Sequence, residues 1–212
     1  MTRTCRLYPI TPPTLDPETF APRLAEALDA GDVACVQLRL PGVAPDRLRQ
    51  AAAALLPICR ARDVALVIDE ALTVAAESGA DGVHLGDEGR VAEARRALGP
   101  EAIVGVACGG SRHRAMRAAE AGADYVSFGA FFPSPTLPEA AIVDPDILTW
   151  WQELMEVPCV AVGGLTPETA AAMAVAGADF VAASAAIWTH PEGPAAAVEA
   201  FNRAVERALA NC

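Results

Sequence analysis

The chain has 212 residues, of which 53% are hydrophobic, so it can bury one substantial core and is not a disordered protein. Its formal net charge of -11 argues against a nucleic-acid partner, because an acidic surface cannot neutralise a phosphate backbone. No stretch approaches the roughly 20 apolar residues of a membrane-spanning helix, so no membrane partner is expected.

Cysteine usage and the first residues predict a cytoplasmic protein. Six cysteines occur without a Cys-x-x-Cys pair, which is typical of reduced thiols that pack as small apolar side chains. The segment from Met1 to Cys5 has no apolar core of the kind found in signal peptides.

Short apolar runs alternate with helical patterns along the chain. The predicted strands are residues 7–10, 34–39, 65–68, 82–85, 102–107, 125–128, 159–162 and 180–183. Helices are predicted around Phe20, Leu24 and Leu28, at 45–61, 71–78, 91–98, 112–121 and 148–155, after Thr166-Pro167, and around Val198, Phe201, Val205 and Leu209. The longest irregular stretch, residues 129–144, is predicted to be a functional or mobile loop.

One short phrase occurs three times, at residues 79–83, 122–126 and 177–181, each time as Gly-Ala-Asp followed by an apolar run. A glycine just past a helix end suits the left-handed backbone found there. The aspartate is interpreted as a turn residue that bonds its own backbone. The phrase therefore predicts a repeated connection from a helix to a buried strand.

Eight strand–helix units predict a single (β/α)8 TIM barrel over residues 1–212. An open doubly wound sheet is the alternative. The absence of Gly-x-Gly-x-x-Gly after the first strand weakens that alternative.

In such a barrel the site forms at the carboxyl ends of the strands, so polar residues that follow each apolar run are the candidates. They are Thr11, Gln37, Arg39, Asp69, Glu70, His84, Asp87, Cys108, Ser111, Ser134, Thr136, Gly163, Gly164 and Ser184.

Arg39 and the Gly163-Gly164 pair point to an anion. A guanidinium at the mouth can clamp an anion, or it can form a structural ion pair with Asp69 or Glu70. The two glycines follow the seventh strand, where barrels bind phosphate; a plain turn is the alternative.

Other candidates have structural interpretations beside the functional ones. Asp69 and Glu70 are adjacent, so at most one is expected to face the mouth. His84 lies inside a predicted strand, as a hydrogen-bonded core histidine does. Cys108, near Arg112, is either a reactive thiol or an inert buried one.

Several segments, taken in order, resemble thiamine-phosphate synthases over nearly the whole chain. They include Leu7-Tyr8-Pro9-Ile10-Thr11, Val36-Gln37-Leu38-Arg39, Gly82-Val83-His84-Leu85-Gly86, Phe132-Pro133-Ser134-Pro135-Thr136 and Val162-Gly163-Gly164-Leu165-Thr166-Pro167. The resemblance implies a (β/α)8 barrel that joins hydroxymethylpyrimidine diphosphate to a thiazole phosphate and releases pyrophosphate with Mg2+. It implies phosphorylated small-molecule substrates and leaves a homodimer open.

The resemblance also assigns roles to residues. It implies catalytic roles for Arg39, Ser134 and Thr136. Its substrate-binding residues are Gln37, Arg39, Asp69, Cys108, Ser134, Thr136, Gly163, Gly164 and Ser184. Its metal ligands are Glu70 and, in place of the carboxylate that is missing at Gly89, Asp87 or else Glu88.

Three positions depart from the family pattern where the pyrophosphate would bind. Pro41 and Leu137 replace lysines, and Gly89 replaces a carboxylate. Weakened synthase activity is therefore expected, and the alternative is a non-catalytic barrel that binds a phosphorylated thiamine precursor or product. The related thiazole tautomerases carry a histidine where this chain has Ala130, which argues against that activity.

Overall fold

Eight parallel strands alternate with helices in the computed structural model, which describes residues 4–134 and 139–211. The strands are β1 (Arg6–Pro9), β2 (Cys35–Leu38), β3 (Ala65–Asp69), β4 (Gly82–Leu85), β5 (Ile103–Gly109), β6 (Tyr125–Phe128), β7 (Cys159–Val162) and β8 (Phe180–Ala183). The helices are α1 (Pro17–Asp29), α2 (Pro45–Arg60), α3 (Leu72–Ser78), α4 (Val91–Leu98), α5 (Arg112–Glu120), α6 (Asp146–Leu154), α7 (Pro167–Ala176), α8 (Ala185–Trp188) and α9 (Pro194–Ala210).

The strands close into a barrel. Neighbours in the sheet follow the order β1-β8-β7-β6-β5-β4-β3-β2, and every pair is parallel. Two backbone bonds join β1 to β2 at its two ends: Ala34 N donates to Leu7 O at 2.9 Å, and Thr11 N donates to Gln37 O at 3.0 Å. The predicted (β/α)8 barrel is confirmed, and the open doubly wound sheet is excluded.

Alternation along the strands divides the buried side chains into two layers. One face packs on the helices and includes Val36, Val104 and Phe128. The other face fills the barrel interior, where Tyr8, Cys35, Val67, Tyr125, Val160 and Ala182 form a separate cluster. Successive residues point to opposite faces of a strand, so a residue's position decides whether it can reach the interior.

The repeated connector joins strands at the amino-terminal end of the barrel. The carboxylates of Asp81, Asp124 and Asp179 accept hydrogen bonds from backbone N–H groups of the preceding strands, at 2.7, 2.7 and 2.8 Å. The donors are Leu66, Val104 and Cys159. The same aspartates donate their own backbone N–H to the carbonyls of those residues at 2.8–3.0 Å.

Each aspartate therefore binds the neighbouring strand, and the expectation that it bonds its own turn is corrected. The glycines behave as predicted, since Gly79, Gly122 and Gly177 have φ values of +69°, +90° and +134°. Most element bounds agree with the predicted ones within two residues. The short helix α8 and the 3-10 turn Glu88–Arg90 were not predicted.

No helix within the described residues has both the length and the apolar character needed to cross a membrane.

We expect Asp81→Ala to lower the free energy of unfolding by about 1–3 kcal/mol, because it leaves the backbone N–H of Leu66 without its acceptor. Urea denaturation measures the loss. Glu120→Ala, at an exposed helix end, is the control and should change stability by less than about 0.5 kcal/mol. Equal effects of the two variants would contradict the clamping role of Asp81.

Candidate functional site

Two adjoining cavities open at the carboxyl ends of the strands. The first has a volume of about 220 Å³ and the second about 320 Å³. Four residues line both: Ile10, Arg39, Val162 and Ala182. The cavities are therefore two parts of one mouth, and Arg39 is the charged side chain that they share among the described residues.

The first cavity lies among the segments that follow β1, β6, β7 and β8. It is lined by Thr11, Ser134, the Gly163-Gly164 pair and residues 183–186. Gly163 and Gly164 have φ values of +102° and +65°, and a Cβ atom on Gly164 would lie 2.5 Å from the carbonyl oxygen of Pro133. Glycine is thus required here for the loop after β7 to lie against the loop after β6.

Ser184 contributes to the same border. Its hydroxyl donates to Thr11 O at 3.2 Å, which joins the segment after β8 to the segment after β1. The hydroxyl of Thr11 accepts from the backbone N–H of Arg39 at 2.9 Å. These bonds hold the backbone beside Arg39 in place.

The second cavity has a polar floor inside the barrel. Its polar lining consists of Tyr8, Gln37, Arg39, Asp69, Glu70, His84, Tyr125 and Ser127. Gln37 Nε2 donates to Asp69 Oδ1 at 2.6 Å, and Arg39 Nε lies 3.5 Å from Asp69 Oδ2. Burial raises the pKa of Asp69 above its ordinary value, although Arg39 and Gln37 oppose the shift.

The ion-pair interpretation of Arg39 is confirmed, and the anion clamp stays a prediction. The side chain forms an ion pair with Asp69, and it also faces both cavities. A ligand anion that approaches it there would share the guanidinium with Asp69.

His84 is hydrogen-bonded inside the barrel. Its Nδ1 lies 2.9 Å from the hydroxyl of Tyr125, and its ring also lines the second cavity. Burial, assisted by the charge of Arg39, lowers the pKa of His84 to about 4. The imidazole is consequently neutral at pH 7.

Asp69 and Glu70 both line the second cavity, which corrects the expectation that at most one of them could. The reason lies in the backbone: Glu70 has φ of +58°, so the strand ends at Asp69 and the next side chain does not alternate to the far face. Glu70 accepts from the backbone N–H of Gly86, and its Oε2 lies 2.9 Å from Nη1 of Arg90.

Two other acidic residues near the mouth, Asp87 and Glu88, lie in the loop after β4, and each already has a partner. Asp87 accepts from the backbone N–H of Gly89 at 2.8 Å. Glu88 lies 3.0 Å from Arg114, an ion pair at the side of the mouth. Within the described residues, no group of three or more histidine, cysteine or acidic side chains could hold a metal ion.

Cys108 does not reach the mouth, and its place among the substrate-binding candidates is corrected. Its side chain is 1% exposed and packs in the layer between sheet and helices, where Sγ contacts Val106 O at 3.6 Å. Burial raises the pKa of its thiol to about 12, so it stays protonated. Ser111 caps helix α5 through the N–H of Arg114. Thr136 lies outside the described residues.

Sequence reasoning missed Tyr8, Tyr125, Ser127 and Arg90. The first three occupy inward positions of β1 and β6, in register with Ala182, Gly105 and Ala107 respectively. Strand alternation counted from Gln37 and His84 could have identified them. The sequence carries no comparable signal for Arg90, whose contact with Glu70 depends on the fold of the loop after β4.

Three comparisons with known proteins find the same family. The family model described as "Thiamine monophosphate synthase" matches residues 7–187. A thiamine-phosphate synthase of Rhodospirillum centenum is 58% identical over 200 residues, which cover 94% of this chain and 97% of that protein. A thiamine-phosphate synthase of Hyphomonas neptunium is 46% identical over 207 residues, with coverage of 95% and 94%. Among solved structures, the thiamine phosphate pyrophosphorylase of Pyrococcus furiosus superposes with a TM-score of 0.83 at 29% identity and covers 96% of both chains.

The burial of His84 predicts a pH-dependent stability. Its pKa of about 4 lies below the ordinary 6.5, so the unfolded chain binds the proton first and the free energy of unfolding falls as the pH drops from 6.5 to 4. We expect this residue to account for a loss of up to about 3 kcal/mol. Urea denaturation at several pH values should show a shallower acid slope for His84→Asn. Identical slopes for the two proteins would contradict the assignment.

Proposed function

Because this chain belongs to the thiamine monophosphate synthase family, we propose that its two adjoining cavities hold the two substrates of that family's reaction. The chain is a transferase of the thiamine-phosphate synthase type, which joins hydroxymethylpyrimidine diphosphate to thiazole phosphate and releases pyrophosphate. The observation that carries the division is the position of Arg39, which lines both cavities.

The second cavity would receive the aminopyrimidine ring. Its floor offers hydrogen-bonding side chains on the inner face of the barrel, and Gln37 and Asp69 are already bonded to each other in a fixed orientation. A heteroaromatic ring presents donors and acceptors in its plane, which such groups can satisfy. This supports the assignment of Gln37 and Asp69 to substrate binding.

The first cavity would receive the phosphate of the thiazole substrate. Backbone at Gly163, Gly164 and Ser184 borders it, and Ser134 lies on the same wall. Main-chain N–H groups and a hydroxyl are suitable donors for phosphate oxygens. We assign Ser134 to contact with this substrate, and we keep Thr136, outside the described residues, as a predicted catalytic residue.

Arg39 would act on the group that leaves. As the bond between the pyrimidine methylene carbon and the diphosphate oxygen breaks, negative charge develops on the departing diphosphate. A guanidinium between the two cavities donates charge-assisted hydrogen bonds to that charge. The cavities meanwhile hold the thiazole nitrogen close to the methylene carbon, so that positioning also supports the reaction.

Glu70 and Asp87 would hold the family's Mg2+. Two carboxylates fit Mg2+ when substrate phosphates and water supply the other oxygens, and both residues lie around Gly86 and its loop. When bound, the ion would neutralise charge on the diphosphate. Glu70 forms an ion pair with Arg90 in the described structure, so Arg90 would compete with the metal ion for this carboxylate.

Weakened activity remains a prediction from Pro41, Gly89 and Leu137, the last of which lies outside the described residues. The location in the cytoplasm, the homodimer and the single-domain extent over 1–212 also remain predictions from the sequence.

A turnover assay with both substrates and Mg2+ tests the proposal. We expect the wild-type protein to form thiamine phosphate at less than about 1 per second, because Pro41 and Leu137 replace two lysines that the family pattern places at the diphosphate. Arg39→Met should lower kcat by about 10²–10³, since it removes a donor to the charge that develops. Arg39→Lys should fall between the two, because it keeps the charge and loses the planar fork.

Arg47→Met is the matched control, because Arg47 lies outside both cavities and contacts Gln50 on its own helix. Binding of both substrates without any product would favour the non-catalytic barrel. Turnover faster than 1 per second would instead refute the weakening assigned to Pro41, Gly89 and Leu137, and the variant carrying Pro41→Lys, Gly89→Asp and Leu137→Lys should then gain nothing.

Metal binding gives a separate test. We expect Arg90→Gln to tighten Mn2+ binding by about three- to tenfold, because it removes a competing charge beside Glu70. Glu70→Gln should weaken binding, because it removes a carboxylate ligand. Titration followed by the electron paramagnetic resonance of free Mn2+ measures both, with inorganic pyrophosphate present. Arg96→Gln, whose Nε contacts the carbonyl of Ala92, is the control. Unchanged affinity in both Glu70→Gln and Arg90→Gln would place the ion elsewhere.

A further inference from the structure

Three side chains form a hydrogen-bonded chain across the barrel interior. The hydroxyls of Tyr8 on β1 and Tyr125 on β6 lie 2.8 Å apart, and the Tyr125 hydroxyl lies 2.9 Å from Nδ1 of His84 on β4. All three residues are buried. The rings of His84 and Tyr125 stack at 5.6 Å with an interplanar angle of 15°. The chain thus links three strands beneath the second cavity.

Gly105 makes room for this arrangement. It lies on β5, between the strands that carry His84 and Tyr125. A Cβ atom at Gly105 would lie 1.9 Å from Cζ of Tyr125. Any other residue at position 105 would therefore fill the space that the Tyr125 ring occupies. Glycine at this position allows the ring to lie where it does, and so determines where the Tyr125 hydroxyl lies.

The chemistry of the groups gives the chain a direction. All three groups are buried, and among the described residues no carboxylate contacts the His84 ring, so both phenols keep their protons and the imidazole is uncharged. A phenol is a good donor and a poor acceptor because its oxygen lone pair is shared with the ring. An unprotonated imidazole nitrogen is a good acceptor. The favourable direction runs from Tyr8 to Tyr125 and from Tyr125 to Nδ1 of His84.

The proton of a neutral imidazole must then lie on the other ring nitrogen. Within the described residues, Nε2 of His84 has no hydrogen-bond acceptor. The ring lines the second cavity, whose charged side chains are Arg39, Asp69 and Glu70. A buried N–H group without an acceptor is costly unless a ligand or water satisfies it.

We propose that Tyr125, supported by Tyr8, is a positioning residue that holds His84 as its Nε2–H tautomer, so that the barrel floor presents one fixed N–H donor to a ring nitrogen of the bound substrate. This deepens the proposed function and rests on it for the identity of the ring. The tautomer itself does not depend on that function, because Tyr125 sets it in the ligand-free protein. A substrate ring with an acceptor nitrogen is recognised, and a ring with an N–H at that place is rejected.

Nitrogen-15 NMR of the protein labelled at histidine tests the tautomer. The chain has three histidines, so His84→Asn assigns the signals of His84. We expect an unprotonated Nδ1 and a protonated Nε2 at pH 7 in the wild-type protein. Tyr125→Phe keeps the ring and removes the hydroxyl, so it should produce a mixture of tautomers. Thr149→Val is the control: it removes a hydroxyl that donates to Ala176 O outside both cavities, and it should leave the tautomer unchanged.

Steady-state kinetics provides the second readout. The bond from Nε2 would be present in both ground state and transition state, so Tyr125→Phe should raise KM for the pyrimidine substrate by about three- to tenfold with kcat nearly unchanged. Thr149→Val, outside both cavities, should leave KM within about twofold of the wild-type value.

A protonated Nδ1 in the wild-type protein overturns the proposal without any variant, and so does a His84 spectrum that Tyr125→Phe leaves unchanged. The expected tautomer in a protein without turnover would refute the proposed function and leave this inference standing. The expected tautomer with an unchanged KM in Tyr125→Phe would refute the donor role toward substrate.

Discussion

Three carboxylates at the amino-terminal end of the barrel fix the register of neighbouring strands. Asp81, Asp124 and Asp179 each bind the backbone of the preceding strand through a side-chain oxygen and through their own N–H group. A strand of four residues has few ladder bonds, so a two-point attachment at its start fixes its register. That register decides which residues face inward, and the polar floor of the mouth depends on it.

The residues that fix the strands and the residues that line the cavities lie at opposite ends of the barrel. The connectors anchor the amino-terminal ends, whereas the carboxyl ends carry Arg39, Asp69 and His84 into the two cavities. The barrel interior between them contains buried apolar side chains such as Val67 and Val160. Changes at the mouth can therefore alter ligand contacts while the strand attachments at the far end remain in place.

The sequence predicts the barrel well because its signals are local: apolar runs, helix starts and a repeated connector. It predicts the site less completely, because the other site contacts depend on which face of a strand each side chain occupies and on the course of the loops. Cys108 follows an apolar run but lies on the outer face of β5, in the layer against the helices. Glu70 reaches the second cavity because its backbone turns left-handed after Asp69. The pairing of Glu70 with Arg90 depends on the loop after β4, whose course no periodicity predicts.

Charge at the mouth is balanced by pairs, although the chain as a whole is acidic. The pairs are Arg39 with Asp69, Arg90 with Glu70, and Arg114 with Glu88. A ligand anion that engages Arg39 competes with Asp69 for the same guanidinium. Because burial already raises the pKa of Asp69, its carboxylate then depends on Gln37 and on donors from the ligand. The mouth therefore favours a ligand that brings an anionic group to Arg39 and hydrogen-bond donors to Asp69 together, and an anion alone leaves Asp69 undercompensated.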